Sequence, residues 1–349
     1  MSLFVLLAGL GLVLILAGVL YQINGAWQDR RRFTRDGRWI HLANGQRLFL
    51  LEKGSRGGPL VIFESGIAAT HLNWIEIQRV VSGFAATASY DRGGLGWSSP
   101  CVSARTPSNV AAELHGMLEC AGIKPPYVLV GHSFGGFIMR RFAGAYPREV
   151  SSVVLIDPMR CDEWPPVNEA QRGAVKRGIR LSGYAIPIAR LGVARLAVTS
   201  LLCRSGRVSR WLTEAGGNGA QQVMGRVRSE IGKMPREAWP IVAAHWSRPA
   251  FYAGMRAHVR SVPDSVREML AEKPIRGIPV LVLTPDSSQP LSAHCLEAIG
   301  DNVRQVIVPN SAHWVHLDQP QTVINAIREI MCDSGTKATG QCESAVVFE

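Results

Sequence analysis

Six short, largely apolar runs, at 59–63, 85–90, 127–130, 152–157, 279–284 and 303–308, set the tightest limit on what this chain can fold into. Most of them are apolar without interruption, and a strand with apolar side chains on both faces has to be covered on both. Between them lie segments with helical periodicity, at 73–81, from Thr106-Pro107-Ser108 to about Cys120, and at 134–146, 291–299 and 319–331. Strands alternating with helices at this spacing build a parallel sheet with helices on both sides. Residues 38–53 read instead as a hairpin, because Asn44-Gly45 offers the positive φ that a tight β-turn needs.

The alternation stops over 161–273, where helical periodicity is interrupted by prolines and by Gly216-Gly217 and no strong strand is found. This predicts a helical cap inserted into a core whose two parts are 38–160 and 274–332. Residues 333–349 are polar and rich in small side chains, and are expected to form a disordered tail. At 349 residues the chain can bury a sizeable core without metal or disulfide help. Its seven cysteines are odd in number, scattered and without C-x-x-C spacing, which argues against a disulfide framework and a structural zinc site and suits a reducing compartment.

Residues 3–21 form an unbroken, uncharged apolar run, about the ~20 residues a helix needs to cross a bilayer. No Lys or Arg precedes it and no A-x-A site follows, so a retained transmembrane anchor is expected rather than a cleaved signal. Arg30, Arg31, Arg32, Arg35 and Arg38 against Asp29 and Asp36 place the following domain on the cytoplasmic side. The net charge is +11, and between Asp162 and Lys273 eighteen Lys and Arg face nine Asp and Glu. No nucleic-acid-binding motif accompanies this basicity, so the partner expected of it is anionic lipid beside the anchor; a solvated Arg-rich surface is the alternative. Residues 181–202, apolar with spaced arginines, read either as a membrane-touching segment or as a packed cap helix.

The apolar run at 127–130 leads into Gly131-His132-Ser133-Phe134-Gly135 and then into a helical pattern. A serine hydroxyl is a poor nucleophile until a base takes its proton, so the chain has to lift Ser133 to where a base can reach it. A sharp strand-to-helix turn does this, and side chains in place of Gly131 or Gly135 would crowd it. Strand before and helix after are the context in which a G-x-S-x-G pattern carries meaning.

With Asp91-Arg92-Gly93-Gly94-Leu95-Gly96-Trp97-Ser98, Val130-Gly131-His132-Ser133-Phe134-Gly135-Gly136 and Ser311-Ala312-His313-Trp314-Val315-His316-Leu317-Asp318-Gln319-Pro320, the chain resembles the α/β-hydrolase superfamily. Within it, the likeness over 38–331 is to bacterial membrane-anchored serine hydrolases of the esterase type with a helical cap. The resemblance implies that Ser133 is the nucleophile and that His313, after the last strand, is the general base; an imidazole ordinarily titrates near neutrality, which suits it to taking and returning a proton. His316 is then a packing residue and His132 a structural one. The acid that orients the base is open between two positions. Asp157 ends the strand before the cap, a place some relatives use, and is preferred. Asp286 lies after the strand that follows the cap, where most relatives carry the acid, but about two positions early, with Ser288 where an acid is expected.

The implied oxyanion hole takes one backbone N–H from Phe134 and one from Ile67, in Glu64-Ser65-Gly66-Ile67, where relatives commonly have His-Gly. Asp91-Arg92 matches a structural turn of the family. Dehalogenases and epoxide hydrolases of this fold use an aspartate nucleophile, so Ser133 argues against both. The expected reaction is cleavage of a carboxylic ester or related acyl bond in a small-molecule substrate, without metal or cofactor. An amidase or proline-releasing aminopeptidase is the alternative, and a non-catalytic ligand-binding protein on the same fold is a third reading.

Overall fold

The computed structural model describes residues 3–55, 57–161, 169–203, 229 and 231–333. Gly216-Gly217 and residues 334–349 of the expected tail lie outside the described residues. The strands are β1 (Arg38–His41), β2 (Arg47–Lys53), β3 (Leu60–Glu64), β4 (Ala86–Asp91), β5 (Tyr127–His132), β6 (Val150–Ile156), β7 (Val280–Pro285) and β8 (Val303–Val308). They form one eight-stranded sheet in the order β1-β2-β4-β3-β5-β6-β7-β8. β1 and β2 pair antiparallel through the Asn44-Gly45 turn, with Gly45 at φ 80°, and β2 runs antiparallel to β4. Every pairing from β4 to β8 is parallel.

Alternate residues of the central strands feed two cores. Ile62, Leu129, Leu155 and Val282 pack with Leu114, Met117, Phe137 and Phe142 on one face. Those side chains belong to helices α3 (Pro107–Cys120) and α4 (Phe134–Ala145). On the other face Phe63, Val130, Ile156 and Leu283 pack with Ile77, Val81, Val323 and Ile327. These last come from α2 (Ile75–Val81), which follows a short 3-10 turn over His71–Trp74, and from a C-terminal helix, Pro320–Asp333. Burial on both sides explains why the strands read as continuous apolar runs rather than as alternating ones.

The N-terminal helix, α1 (Leu3–Phe33), outlasts the apolar run at 3–21, and its last turn carries Arg30, Arg31 and Arg32. The arginines suit the negative end of the helix dipole, and the Thr34 hydroxyl donates to Arg30 O at 2.7 Å. Among the described residues α1 is the one unbroken helix long and apolar enough to cross a membrane. Between β6 and β7 all described regular structure is helical: α5 (Glu169–Arg190), α6 (Val193–Cys203), α7 (Trp239–Trp246) and α8 (Pro249–Leu270), with a 3-10 turn over Arg236–Ala238.

Candidate active site

Ser133 stands between β5 and α4 at φ 53° and ψ −120°, a conformation an L-residue reaches only under strain of order 1–3 kcal/mol. Its surroundings hold it there. The Ser133 N–H donates to Ile156 O at 3.0 Å, and Ser133 O accepts from Gly136 N at 2.9 Å and Met159 N at 3.1 Å. The flanking glycines are required by close backbone approach. A Cβ on Gly131 would lie 2.7 Å from Gly135 O, and one on Gly135 would lie 2.6 Å from Glu64 O and 2.8 Å from Ser65 O.

Asp157 follows β6 at φ 38° and donates its N–H to Leu283 O at 2.8 Å. Its Oδ2 lies 2.6 Å from His313 Nδ1, so the imidazole donates there and leaves Nε2 directed elsewhere. Ser133, Asp157 and His313 line one cavity of about 540 Å³, together with Ile67, Thr284, Ser288 and Gln289 from the core and Ala174, Val175 and Gly178 from α5.

Asp286 is not brought to His313. Its Oδ2 accepts from Asn310 N at 2.8 Å and its Oδ1 from Ser311 N at 3.1 Å. These two N–H groups hold its carboxyl below the ordinary aspartate range. Asp286 thus closes the loop that carries His313, while Ser288, two residues on, reaches the cavity wall.

His132 and His316 flank His313 without joining it in the cavity. Buried His132 donates from Nε2 to His313 O at 2.7 Å, anchoring the backbone of the loop. Buried His316 stacks on Trp74 at 4.6 Å, and burial pushes its pKa down to about 3. Burial likewise holds His132 well below the ordinary histidine value. Both are neutral rings packed for shape.

Phe134 N opens α4, and helix-opening N–H groups have no partner within their own helix. Ile67 lines the cavity beside it, in the loop between β3 and the 3-10 turn. Among the described residues neither N–H is taken by another protein group. That loop is tied down from below. Ser65 Oγ donates to Thr70 O at 2.9 Å and accepts from Trp74 Nε1 at 2.9 Å, and Arg92 Nη2 donates to Gly66 O. Arg92 also faces Glu64, Nε to Oε1 at 3.5 Å, and Tyr90 donates its hydroxyl to Glu64 Oε2. Burial raises the Glu64 carboxyl above its ordinary value against the pull of Arg92 and Tyr90.

Asp91 and Arg92 are fully buried and line no part of the cavity. Asp91 accepts from His71 N at 3.1 Å, His71 Nδ1 at 2.8 Å and Trp97 N at 2.9 Å; burial would raise its pKa, but these partners hold it below the ordinary value. The Asp-Arg turn is therefore framework. What the sequence does not reveal is how far Arg92 reaches, since its contact with Gly66 O spans 26 positions. Among the described residues no group of three or more His, Cys, Asp or Glu side chains could hold a metal ion, and no disulfide joins the described cysteines.

Residues 59–178 match the α/β hydrolase fold family. An AB hydrolase superfamily protein of Gibberella zeae is 38% identical over 138 residues, which are 38% of this chain and 43% of that protein. Lipase 1 of Psychrobacter immobilis is 28% identical over 37% of this chain and 41% of its own length. The chain therefore spans less than half the length of these relatives. Among solved structures, Cfl2 of Burkholderia cenocepacia superposes with a TM-score of 0.64 at 20% identity, covering 84% of this chain and 94% of that one. Epoxide hydrolase CorEH superposes at 0.63 and 16% identity, covering 85% and 98%. Residues 59–178 thus carry the sequence of the α/β hydrolase fold family, and the chain has the α/β-hydrolase fold.

Proposed function

We propose that this protein is a membrane-anchored serine hydrolase that cleaves a carboxylic ester through an acyl-enzyme. The observation that carries the reading is the 2.6 Å contact between Asp157 Oδ2 and His313 Nδ1, set in the same cavity as a serine held at positive φ on its elbow. With Nδ1 committed to Asp157, His313 has Nε2 to receive the Ser133 proton. Ser133 Oγ bonds to the ester carbonyl carbon, and the carbonyl oxygen, now an anion, accepts from the N–H groups of Phe134 and Ile67. The intermediate collapses, the ester C–O bond breaks, and the alkoxide leaves with the proton held on His313. A water then repeats the sequence on the acyl-enzyme and frees the acid. Asp157 keeps its charge throughout and stabilises the imidazolium that forms beside it.

The serine supports an acyl-transfer reading over the chemistry named for the epoxide hydrolase neighbour, and the likeness to Lipase 1 points the same way. Anchoring through α1, with the arginine-flanked domain on the cytoplasmic side, is part of the reading. A fluorophosphonate probe should label the purified protein at Ser133, and Ser133→Ala should abolish labelling and lower ester turnover by about 10³-fold or more. Wild-type turnover by the folded alanine variant would refute the proposal.

A further inference from the structure

The cap is fastened to the anchor helix. Gly18 of α1 meets the backbone carbonyl of Leu191 so closely that a Cβ there would collide with it. From the other side, a Cβ on Gly192 would lie 2.6 Å from Gly18 O and 3.1 Å from Tyr21 Cδ1. One turn further, buried Arg195 donates from Nε to Gln22 Oε1 at 3.0 Å and from Nη1 to Asp29 Oδ2 at 2.6 Å. These contacts fix the height of the corner between α5 and α6 along α1. Gly18 lies three residues inside the end of the apolar run at Tyr21, about 4.5 Å, and nine residues before Trp27, about 13 Å at 1.5 Å per residue. Trp27 is exposed and carries Arg31 over its ring at 4.5 Å, a pairing suited to the headgroup level.

The corner is dressed for that depth. Leu181, Tyr184 and Ile188 recur at steps of three and four on α5, which puts them along one side of the helix, and Leu191 follows three residues on in the turn just past its end. All four are exposed, as are Val193 and Leu196 on α6, and together they form an apolar surface of a kind that soluble domains rarely show to water. Much of the turn itself is hydrogen-bonded: Leu191 N donates to Pro187 O, Gly192 N to Ala189 O and Leu196 N to Gly192 O, all at 3.0–3.1 Å. Bonded backbone is what hydrocarbon tolerates. Arg180 and Arg190, exposed beside the stripe, can carry their charge outward to headgroups. The same α5 lines the catalytic cavity with Ala174, Val175 and Gly178, and Gly178 stands three residues from Leu181.

We infer that the α5–α6 corner is seated in the bilayer beside the anchor, and that α5 leads a membrane-dissolved long-chain acyl ester from the hydrocarbon to Ser133. This rests on the serine-hydrolase and anchor readings above and adds to them the occupant of the apolar surface and the class of substrate. The occupant is lipid rather than a second copy because the backbone seat at Gly18 places the surface within the apolar length of a spanning helix.

The test uses the full chain in phosphatidylcholine vesicles containing a phosphatidylcholine with a diazirine on its acyl chain. Photolysis should label peptides spanning 181–196 as well as those of α1, and should spare the exposed apolar residues Val102 and Ile307 elsewhere on the domain. Labelling confined to α1, or a corner protected by a cross-linkable second copy, would overturn the inference. A Leu181→Asp, Ile188→Asp variant should hydrolyse long-chain esters in the vesicles at least tenfold more slowly, while a fluorophosphonate still labels it in detergent as fast as wild type. An unchanged long-chain rate would overturn the route along α5. Wild type that takes no fluorophosphonate would instead fail the serine-hydrolase reading, whatever the lipid labels show.

Discussion

The two candidate acids differ by what each carboxylate touches, so Asp157→Asn is the sharpest test of the site. Asp157 Oδ2 holds His313 Nδ1 at 2.6 Å, a short charge-assisted contact that selects the tautomer with Nε2 free to accept a proton. Asparagine keeps the size, removes the charge and can present an N–H to Nδ1, which then takes the role of acceptor and leaves the proton on the wrong nitrogen. Loss of this function in a serine triad costs on the order of 10⁴ in kcat, which at 1.36 kcal/mol per decade is about 5 kcal/mol of transition-state stabilisation. Asp286→Asn removes one of two backbone bonds at Asn310 and Ser311 but leaves the Asp157–His313 contact in place, so it should lower kcat less than tenfold and show mainly as a lower Tm. Initial rates on a short-chain nitrophenyl ester, with circular dichroism melts to confirm folding, separate the two. If Asp286→Asn loses three decades and Asp157→Asn stays within tenfold of wild type, the geometry has been misread.

Other outcomes follow from the same contacts. Gly135→Ala drives a Cβ to 2.6 Å from Glu64 O and 2.8 Å from Ser65 O, backbone atoms that cannot give way, so the variant should melt several degrees lower and lose probe labelling; a wild-type melt would contradict the elbow packing. Arg92→Met frees Gly66 O and strands the buried Glu64 carboxylate, which should cost about 3–5 kcal/mol of stability and loosen the Ile67 N–H, lowering kcat more than it raises KM. His316 is neutral when folded, its pKa pushed from 6.5 down to about 3 mainly by burial. Above pH 6.5 neither state binds a proton; below it the unfolded chain binds one that the folded chain excludes. Stability therefore falls by about 1.4 kcal/mol per pH unit from this residue as pH drops from 6.5 toward 3. His316→Phe, which keeps the stacking on Trp74, should flatten the acid limb of a Tm-against-pH curve, and an unchanged slope would show that the ring is protonated when folded.

Much of the framework can be read from local chemistry. Strands buried on both faces, such as β3 and β7, announce themselves by their apolar runs, and β8, mostly part-exposed and carrying Arg304 and Gln305, still falls at the expected residues 303–308. The elbow is legible because its glycines answer a constraint within five residues of chain. The choice of acid is not, because β6 and β7 are neighbours in the sheet and deliver Asp157 and Asp286 to the same end of it. Spacing along the chain cannot say which carboxylate meets an imidazole arriving from a third segment. The grip of Arg92 on Gly66 O and the hydrogen bond from His132 to His313 O are invisible for the same reason, each joining residues far apart in sequence. The N-terminal helix outruns its apolar run because Arg30–Arg32 and the Thr34 hydroxyl support a final turn that hydropathy does not register.

The chain leaves the sheet for the cap directly after Asp157, and the first steps of that departure are pinned. Met159 N is bonded to Ser133 O, and Arg160 Nη1 donates to Gln289 O at 3.0 Å on the far side of the cavity. The chain from Asp157 to Arg160 is thus tied to the core beside Ser133 and Gln289. Asp157 and Ser133 share this tied stretch, so a cap that moved to admit a molecule would leave the spacing of these two residues to the framework and not to the lid.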